Sequence, residues 1–130
     1  MSLRLLVPVL LLSLATMPGA APVKQQATAR RVVQITAERF EFWPPEITLE
    51  QGEEIEIRVR SYDTSHGFRI VGAGTNLIVP KRGKGEAVTV FRAGQPGRYT
   101  FECSRMCGAG HNFMRGVLIV RGRRMEGLTR

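Results

Sequence analysis

Twelve consecutive residues, Cys103 to Met114, carry most of the metal-binding side chains of this chain. The segment reads C-S-R-M-C-G-A-G-H-N-F-M, and it holds both cysteines, one of the two histidines and a methionine. Soft sulfur donors beside an imidazole favour copper, with zinc second. Gly108 and Gly110 let the backbone turn tightly, so donors that are close in sequence can face one point. A fold that brings the second histidine, His66, to this segment would complete a metal site.

Length and composition indicate one domain with an ordinary core. The chain has 130 residues, of which 43% are hydrophobic. Its 19 Lys and Arg against 11 Asp and Glu give a formal net charge of +8. The basic residues are scattered, and neither a nucleic-acid-binding motif nor interleaved aromatic residues accompany them. We therefore expect a solvated basic surface and no nucleic-acid partner.

The amino-terminal residues have the layout of a secretory signal peptide. Arg4 precedes the apolar run 5–14, and the small residues 18–21 follow it. Residues 5–23 carry no charge and approach the ~20 residues of a membrane helix, so an uncleaved anchor is the alternative. Either way we expect an exported domain, in the periplasm or on the outer face of the cytoplasmic membrane. The predicted divisions are signal peptide or anchor 1–21, linker 22–30, domain 31–122 and basic tail 123–130.

Period-two alternation of apolar and polar residues predicts strands through most of the domain. In the clearest case Ile55, Ile57 and Val59 alternate with charged residues. Further strands are predicted within 31–42, 47–49, 66–71, 77–79, 87–91, 98–103 and 117–121. No convincing amphipathic helix accompanies them. Seven or eight short strands separated by turn signals predict an all-β antiparallel sandwich.

Several chemistries fit the donor segment. Two cysteines in an exported domain most simply form a disulfide. Zinc accepts two cysteines and two histidines but gains nothing from a methionine. A mononuclear blue-copper site needs one cysteine, two histidines and a weak axial methionine, which leaves one cysteine unused. Two copper ions would use the whole set, with both thiolates bridging them and one histidine completing each.

The segment resembles the binuclear Cu(A) motif of cytochrome c oxidase subunit II, C-x-E/Q-x-C-x3-H-x2-M. The sequence His66-Gly67-Phe68 is similar to the upstream ligand segment of that family. Residues 95–99 resemble the turn that enters the ligand loop, and 116–120 resemble the last strand. The likeness extends from Val32 to Arg121 and implies a cupredoxin-like Greek-key sandwich.

The resemblance also implies a ligand set and a role. The implied ligands are His66 and His111 at the ends, Cys103 and Cys107 as bridges, and Met114 and the backbone carbonyl of Arg105 as axial donors. The implied cofactor is a pair of copper ions that transfers single electrons without bond-making chemistry. The domain would serve as a subunit II-like part of a terminal oxidase in a respiratory chain. A freestanding periplasmic copper carrier, or a module for copper storage or delivery, is the alternative.

Two departures from the family pattern concern the partners. Arg105 stands where the family usually has an acidic or amide residue, whose acidic form also reaches a magnesium ion at the contact with the catalytic subunit. A guanidinium has no acceptor atom, so we expect no magnesium site. A charge of +8 would repel the basic cytochrome c that the family commonly uses, over about a Debye length, ~8 Å in physiological salt.

The expected partners follow from that charge and from the resemblance. We expect as donor a redox protein, either a cytochrome or a small copper protein, that is not strongly basic. An oxidase catalytic subunit would be a second partner within a complex. Phe42 and Trp43 are candidates for the patch through which electrons arrive, or else they belong to the core.

Overall fold

The alternating segments of the sequence form the strands of a two-layered sandwich in a computed structural model that describes residues 29–123. Residues 29–123 contain nine strands and one short 3-10 turn. The strands are β1 (Arg31–Glu38), β2 (Glu41–Trp43), β3 (Glu46–Glu50), β4 (Glu54–Ser61), β5 (His66–Ile70), β6 (Thr75–Val79), β7 (Ala87–Arg92), β8 (Gly97–Glu102) and β9 (Arg115–Arg121). The 3-10 turn, His111–Phe113, lies in the loop between β8 and β9.

The strands form two sheets, with the orders β2-β1-β4-β7 and β3-β9-β8-β5-β6. The predicted all-β sandwich is therefore confirmed. The pairing is mixed rather than wholly antiparallel, because β1 pairs with β4 and β3 pairs with β9 in parallel. Parallel pairs arise because the chain changes sheet between β2 and β3, so β4 returns to the first sheet beside β1 rather than as the next strand of a hairpin.

The core lies between the inner faces of the two sheets. Ile55, Ile57 and Val59 on β4 are fully buried, as their alternation predicts. Three phenylalanines, Phe42, Phe68 and Phe101, pack with ring centroids 5.4 to 5.7 Å apart. Phe42 packs edge-to-face against each of the other two rings, and aromatic pairs of this kind each contribute about 0.5–1.5 kcal/mol beyond area burial. The cluster lies two residues along β5 from His66 and two residues before Cys103, so it supports the donor end of the sandwich.

The paired strands run from Arg31 to Arg121. The predicted signal peptide or anchor, 1–21, lies outside the described residues, as do most of the predicted linker and of the basic tail. Within residues 29–123, no helix is long and apolar enough to cross a membrane.

Candidate metal centre

The donor residues converge where β5 begins and β8 ends. His66 is the first residue of β5, and Cys103 directly follows the last residue of β8. The two strands are antiparallel neighbours in one sheet, so these two ends meet. The backbone N–H of Cys103 donates to the carbonyl of Met114 at 3.0 Å, which closes the donor loop at its base. The loop is therefore anchored at both of its ends to the sheet.

Three of the donors form a tight group. The Nδ1 atom of His66 lies 4.0 Å from Cys103 Sγ, and the two sulfurs of Cys103 and Cys107 are 3.7 Å apart. The metal-binding atoms of these three residues all lie within 4.8 Å of one another. Both cysteines are free thiols, so the disulfide alternative is not what this structure contains. All three residues are buried, and His66 has no exposed surface.

The remaining three residues of the predicted set surround this group. His111 Nδ1 lies 3.8 Å and Met114 Sδ lies 3.9 Å from the sulfur of Cys107. The Cys103 thiol lies 3.1 Å from the backbone oxygen of Arg105. Met114 is buried, His111 is half-buried and the Arg105 side chain is exposed. The structure thus brings together three sulfurs, two imidazole nitrogens and one carbonyl oxygen.

Asp63 is a site residue that the sequence pattern does not single out. Its Oδ1 lies 2.6 Å from His66 Nε2, and its Oδ2 accepts the backbone N–H of Arg39 at 3.0 Å. Burial favours the protonated acid, but the hydrogen bonds from His66, Arg39 and Thr64 outweigh it and hold the pKa of Asp63 below its ordinary value. The carboxylate therefore accepts the Nε2 proton of His66 and leaves Nδ1 free to bind a metal. A carboxylate three residues before a histidine in a loop is the signal that could have revealed it.

The turn between β1 and β2 packs against the donor loop. The Nε–H of Arg39 donates to the carbonyl of Cys107 at 2.8 Å. The side chain of Phe40 lies directly over two glycines of the loop. A Cβ added at Gly108 would lie 2.8 Å from Cε1 of Phe40, and one added at Gly110 would lie 3.0 Å from Cβ of Phe40. Gly108 also has a φ of +145°, whereas the backbone of Gly110 lies in an ordinary region. Close approach is therefore the reason for glycine at 110.

Gly67 permits a second close approach. A Cβ at this position would lie 2.6 Å from the backbone nitrogen of Arg105 and 2.7 Å from that of Ser104. Such distances require displacement of the backbone, so glycine lets the segment that carries the Arg105 carbonyl lie against β5. In the sequence, Gly67 is distinguished only by its place beside His66.

The Cys107 thiol holds its proton when no metal is bound. Burial, and then the neighbouring thiol of Cys103, raise the pKa of Cys107 to about 11. Because a thiolate is the form that binds a metal, metal binding at this site must displace a proton.

The two aromatic residues proposed for electron arrival lie in different surroundings. Phe42 is 1% exposed and belongs to the aromatic cluster of the core. Trp43, the next residue, is 68% exposed. Of this pair, only Trp43 offers an aromatic surface to a partner.

The donor set fits soft metal ions. Three sulfurs and two imidazole nitrogens suit copper, and the absence of a carboxylate from the inner group disfavours magnesium or calcium there. The inclusion of Met114 sets the group apart from a zinc site, since a thioether is not among the usual zinc ligands.

Known proteins share both the fold and the sequence. A family model described as a cupredoxin-like domain matches residues 5–120. Cytochrome c oxidase subunit 2 of Thermus thermophilus is 34% identical over 104 residues, which cover 78% of this chain and 74% of that relative.

Solved structures share the fold of this chain. A chain of a heme-copper terminal oxidase dimer has a TM-score of 0.63 and 25% identity, and the match covers 74% of this chain and 68% of the other. The periplasmic domain of subunit II of cytochrome oxidase from Bradyrhizobium japonicum also has a TM-score of 0.63, at 19% identity, over 71% of this chain and 84% of that domain. The resemblance inferred from the sequence is confirmed: the chain belongs to the cupredoxin-like family, as a domain of the cytochrome c oxidase subunit II type.

Proposed function

We propose that this chain is a copper electron-transfer domain that holds two copper ions in a Cu(A) centre. One observation carries the proposal: three sulfurs, two imidazole nitrogens and a carbonyl oxygen from six residues face one another at one end of the sandwich. A single copper ion would leave one of the two adjacent thiols without a role. Two ions employ both, and the 3.7 Å between the sulfurs suits a pair of bridging ligands.

Each residue has a distinct task in this proposal. Cys103 and Cys107 bridge the ions, and His66 and His111 complete them through Nδ1. Met114 and the backbone carbonyl of Arg105 serve as weak axial donors. When bound, the copper pair supplies one-electron redox chemistry. The protein contributes rigidity, because ligands at strand ends and in an anchored loop move little when the charge changes.

Two settings are considered for the domain: a subunit of an oxidase and a freestanding carrier. We infer a subunit II-like component of a respiratory oxidase, exported to the periplasm or to the outer face of the cytoplasmic membrane. That inference is supported by the relationship to subunit 2 of Thermus thermophilus. A freestanding periplasmic carrier is the second candidate, favoured by the exposed guanidinium of Arg105, which cannot bind the magnesium ion expected in the family.

The spectrum of the copper-loaded protein tests the metal assignment. We expect two copper ions per chain, a purple colour and a seven-line EPR signal from one unpaired electron shared equally by two nuclei. The variant Cys107→Ser should lose this signal. Ser104→Ala is the matched control in the same loop, because the Ser104 hydroxyl donates to Asn76 at 2.7 Å rather than facing the sulfurs. A single copper per chain with a four-line signal would contradict the proposal.

The expected donor is a redox protein that is not strongly basic. A formal charge of +8 slows association with a basic protein and speeds association with an acidic one, most at low salt. Association rates with acidic and basic c-type cytochromes at several salt concentrations test this expectation. A faster reaction with the basic cytochrome at low salt would contradict it.

A further inference from the structure

Three charged side chains form one row across the outer face of the five-stranded sheet. Arg69 on β5 is the partner of Glu102 on β8, and Glu102 is in turn the partner of Arg115 on β9. The guanidinium of Arg69 forms an ion pair with the carboxylate of Glu102. One acidic residue therefore stands between two arginines, and the row carries a net positive charge.

Arg115 supplies that excess charge. Its guanidinium donates to the backbone carbonyl of Asn112, which is a neutral acceptor. It forms no ion pair with any carboxylate in residues 29–123. Because a guanidinium has five N–H donors, one backbone carbonyl leaves most of its bonding capacity unused.

A cleft of about 310 Å³ opens beside this row. Its lining is polar and cationic, and it shares a wall with the proposed copper ligands. It is lined by Arg69, Glu102, Cys103, Ser104, His111, Asn112, Met114 and Arg115. Asn112 adds an amide N–H₂ donor, and His111 presents its half-buried ring.

An exposed aromatic residue occurs in the same short turn as two lining residues of this cleft, His111 and Asn112. Phe113 lies between the lining residues Asn112 and Met114 and is 81% exposed. Aromatic residues and arginines are enriched at protein contact sites. The loop that lines the cleft thus carries an exposed aromatic residue close in sequence to Arg115.

We propose that this cleft, here called the arginine cleft, receives an aspartate or glutamate side chain of the redox protein that exchanges electrons with the domain. The proposal rests on the electron-transfer function above and specifies the docking point for its partner. Arg115 would hold the carboxylate through paired N–H donors, a geometry that favours carboxylates over other groups. Docking there places the partner against His111, the proposed copper ligand that lines the cleft.

The first experiment maps anion binding without copper. The reduced, metal-free protein, labelled with ¹⁵N, is titrated with hexacyanochromate(III), a paramagnetic trianion that takes no part in the redox chemistry. We expect the amide signals of residues 112–115 and 102–104 to broaden first. Broadening that begins instead at the basic turn 81–85, or that is uniform over the surface, would overturn the proposal.

The second experiment uses a matched pair of charge reversals. Arg115→Glu removes the proposed contact, whereas Arg98→Glu makes the same change in net charge at another exposed residue. Arg98 lies four residues before Glu102 on the same face of β8, which places it about 13 Å farther along the strand. Arg115→Glu should abolish the localised broadening by hexacyanochromate(III), and Arg98→Glu should preserve it.

The third measurement concerns the partner itself. At low salt, electron exchange of the copper-loaded protein with an acidic c-type cytochrome should slow on the order of tenfold in Arg115→Glu. Arg98→Glu should slow it much less, and the two variants should converge at high salt. Equal slowing in both variants would overturn the arginine cleft as a docking point. A failure of the copper proposal would appear separately, in the spectrum, and would leave the anion map unchanged.

Discussion

The Nε2 atom of His66 lies 2.6 Å from Oδ1 of Asp63, while the other ring nitrogen lies 4.0 Å from the sulfur of Cys103. The fully buried imidazole ring of His66 therefore lies between a carboxylate and a thiol. The low pKa of Asp63 keeps that carboxylate ionised at neutral pH, so the tautomer with a free Nδ1 is favoured. Asp63 is a positioning residue for the proposed ligand His66.

Asp63→Asn should weaken copper binding by about 10- to 100-fold, because the ring loses the charged acceptor that orients it and makes it more basic. Competition with a chelator of known copper affinity measures this loss. Glu102→Gln is the matched control, since Glu102 is another partly buried carboxylate at this end of the sandwich and pairs with Arg69 instead. Equal copper affinity in the two variants would contradict the role of Asp63.

Gly67→Ala should destabilise the protein by about 1–3 kcal/mol, because the new Cβ would overlap the backbone of residues 104 and 105. It should also alter the copper spectrum by moving the Arg105 carbonyl. Gly94→Ala is the control, since a Cβ there meets no atom within 4 Å and needs no positive φ. Urea unfolding of both variants measures the difference, and a loss in Gly94→Ala as large as that in Gly67→Ala would refute the steric explanation.

The metal-free protein should lose stability as the pH rises through about 9, the ordinary pKa of a cysteine thiol, because the unfolded chain then releases protons. The pKa of Cys107 is raised to about 11 in the folded protein, so only the unfolded state releases this proton between the two values. The contribution is therefore complete below pH 9 and is lost as the pH approaches 11. Denaturant unfolding under reducing conditions at several pH values tests this, and Cys107→Ser should show a weaker dependence on pH. If stability depended on pH equally in the wild-type protein and in Cys107→Ser, another group would be responsible for the effect.

Met114→Leu should raise the reduction potential of the copper-loaded protein, because removal of a thioether donor destabilises the oxidised form more than the reduced form. We expect a change on the order of 60 mV, which for one electron is a tenfold change in the equilibrium constant. Met106→Leu is the control, since Met106 lies in the same loop but is 73% exposed. Protein-film voltammetry of the two variants measures the potentials. A shift of similar size in Met106→Leu would argue against Met114 as a ligand.

The fold was predictable where one face of a strand is buried. On β4, a period of two separates buried apolar residues from charged ones, and the structure follows that period. The mixed pairing was not predictable, because the alternation of a strand does not reveal which neighbour it pairs with or in which direction. Phe40 shows the same limit: its place in the alternation predicts a strand residue, but it lies in the turn and covers the donor loop.

The sequence by itself determined the donor types of this protein, because five of the six proposed ligands lie within twelve residues. The short chain between them keeps these five close together in any fold. It also determined the strand alternation that makes the core. Only the tertiary structure decided that His66, 37 residues before Cys103, faces the thiols, since the pairing of β5 with β8 brings them together. The close approach at Gly67 and the arginine cleft likewise depend on contacts between segments distant in sequence, and such contacts leave no local pattern along the chain.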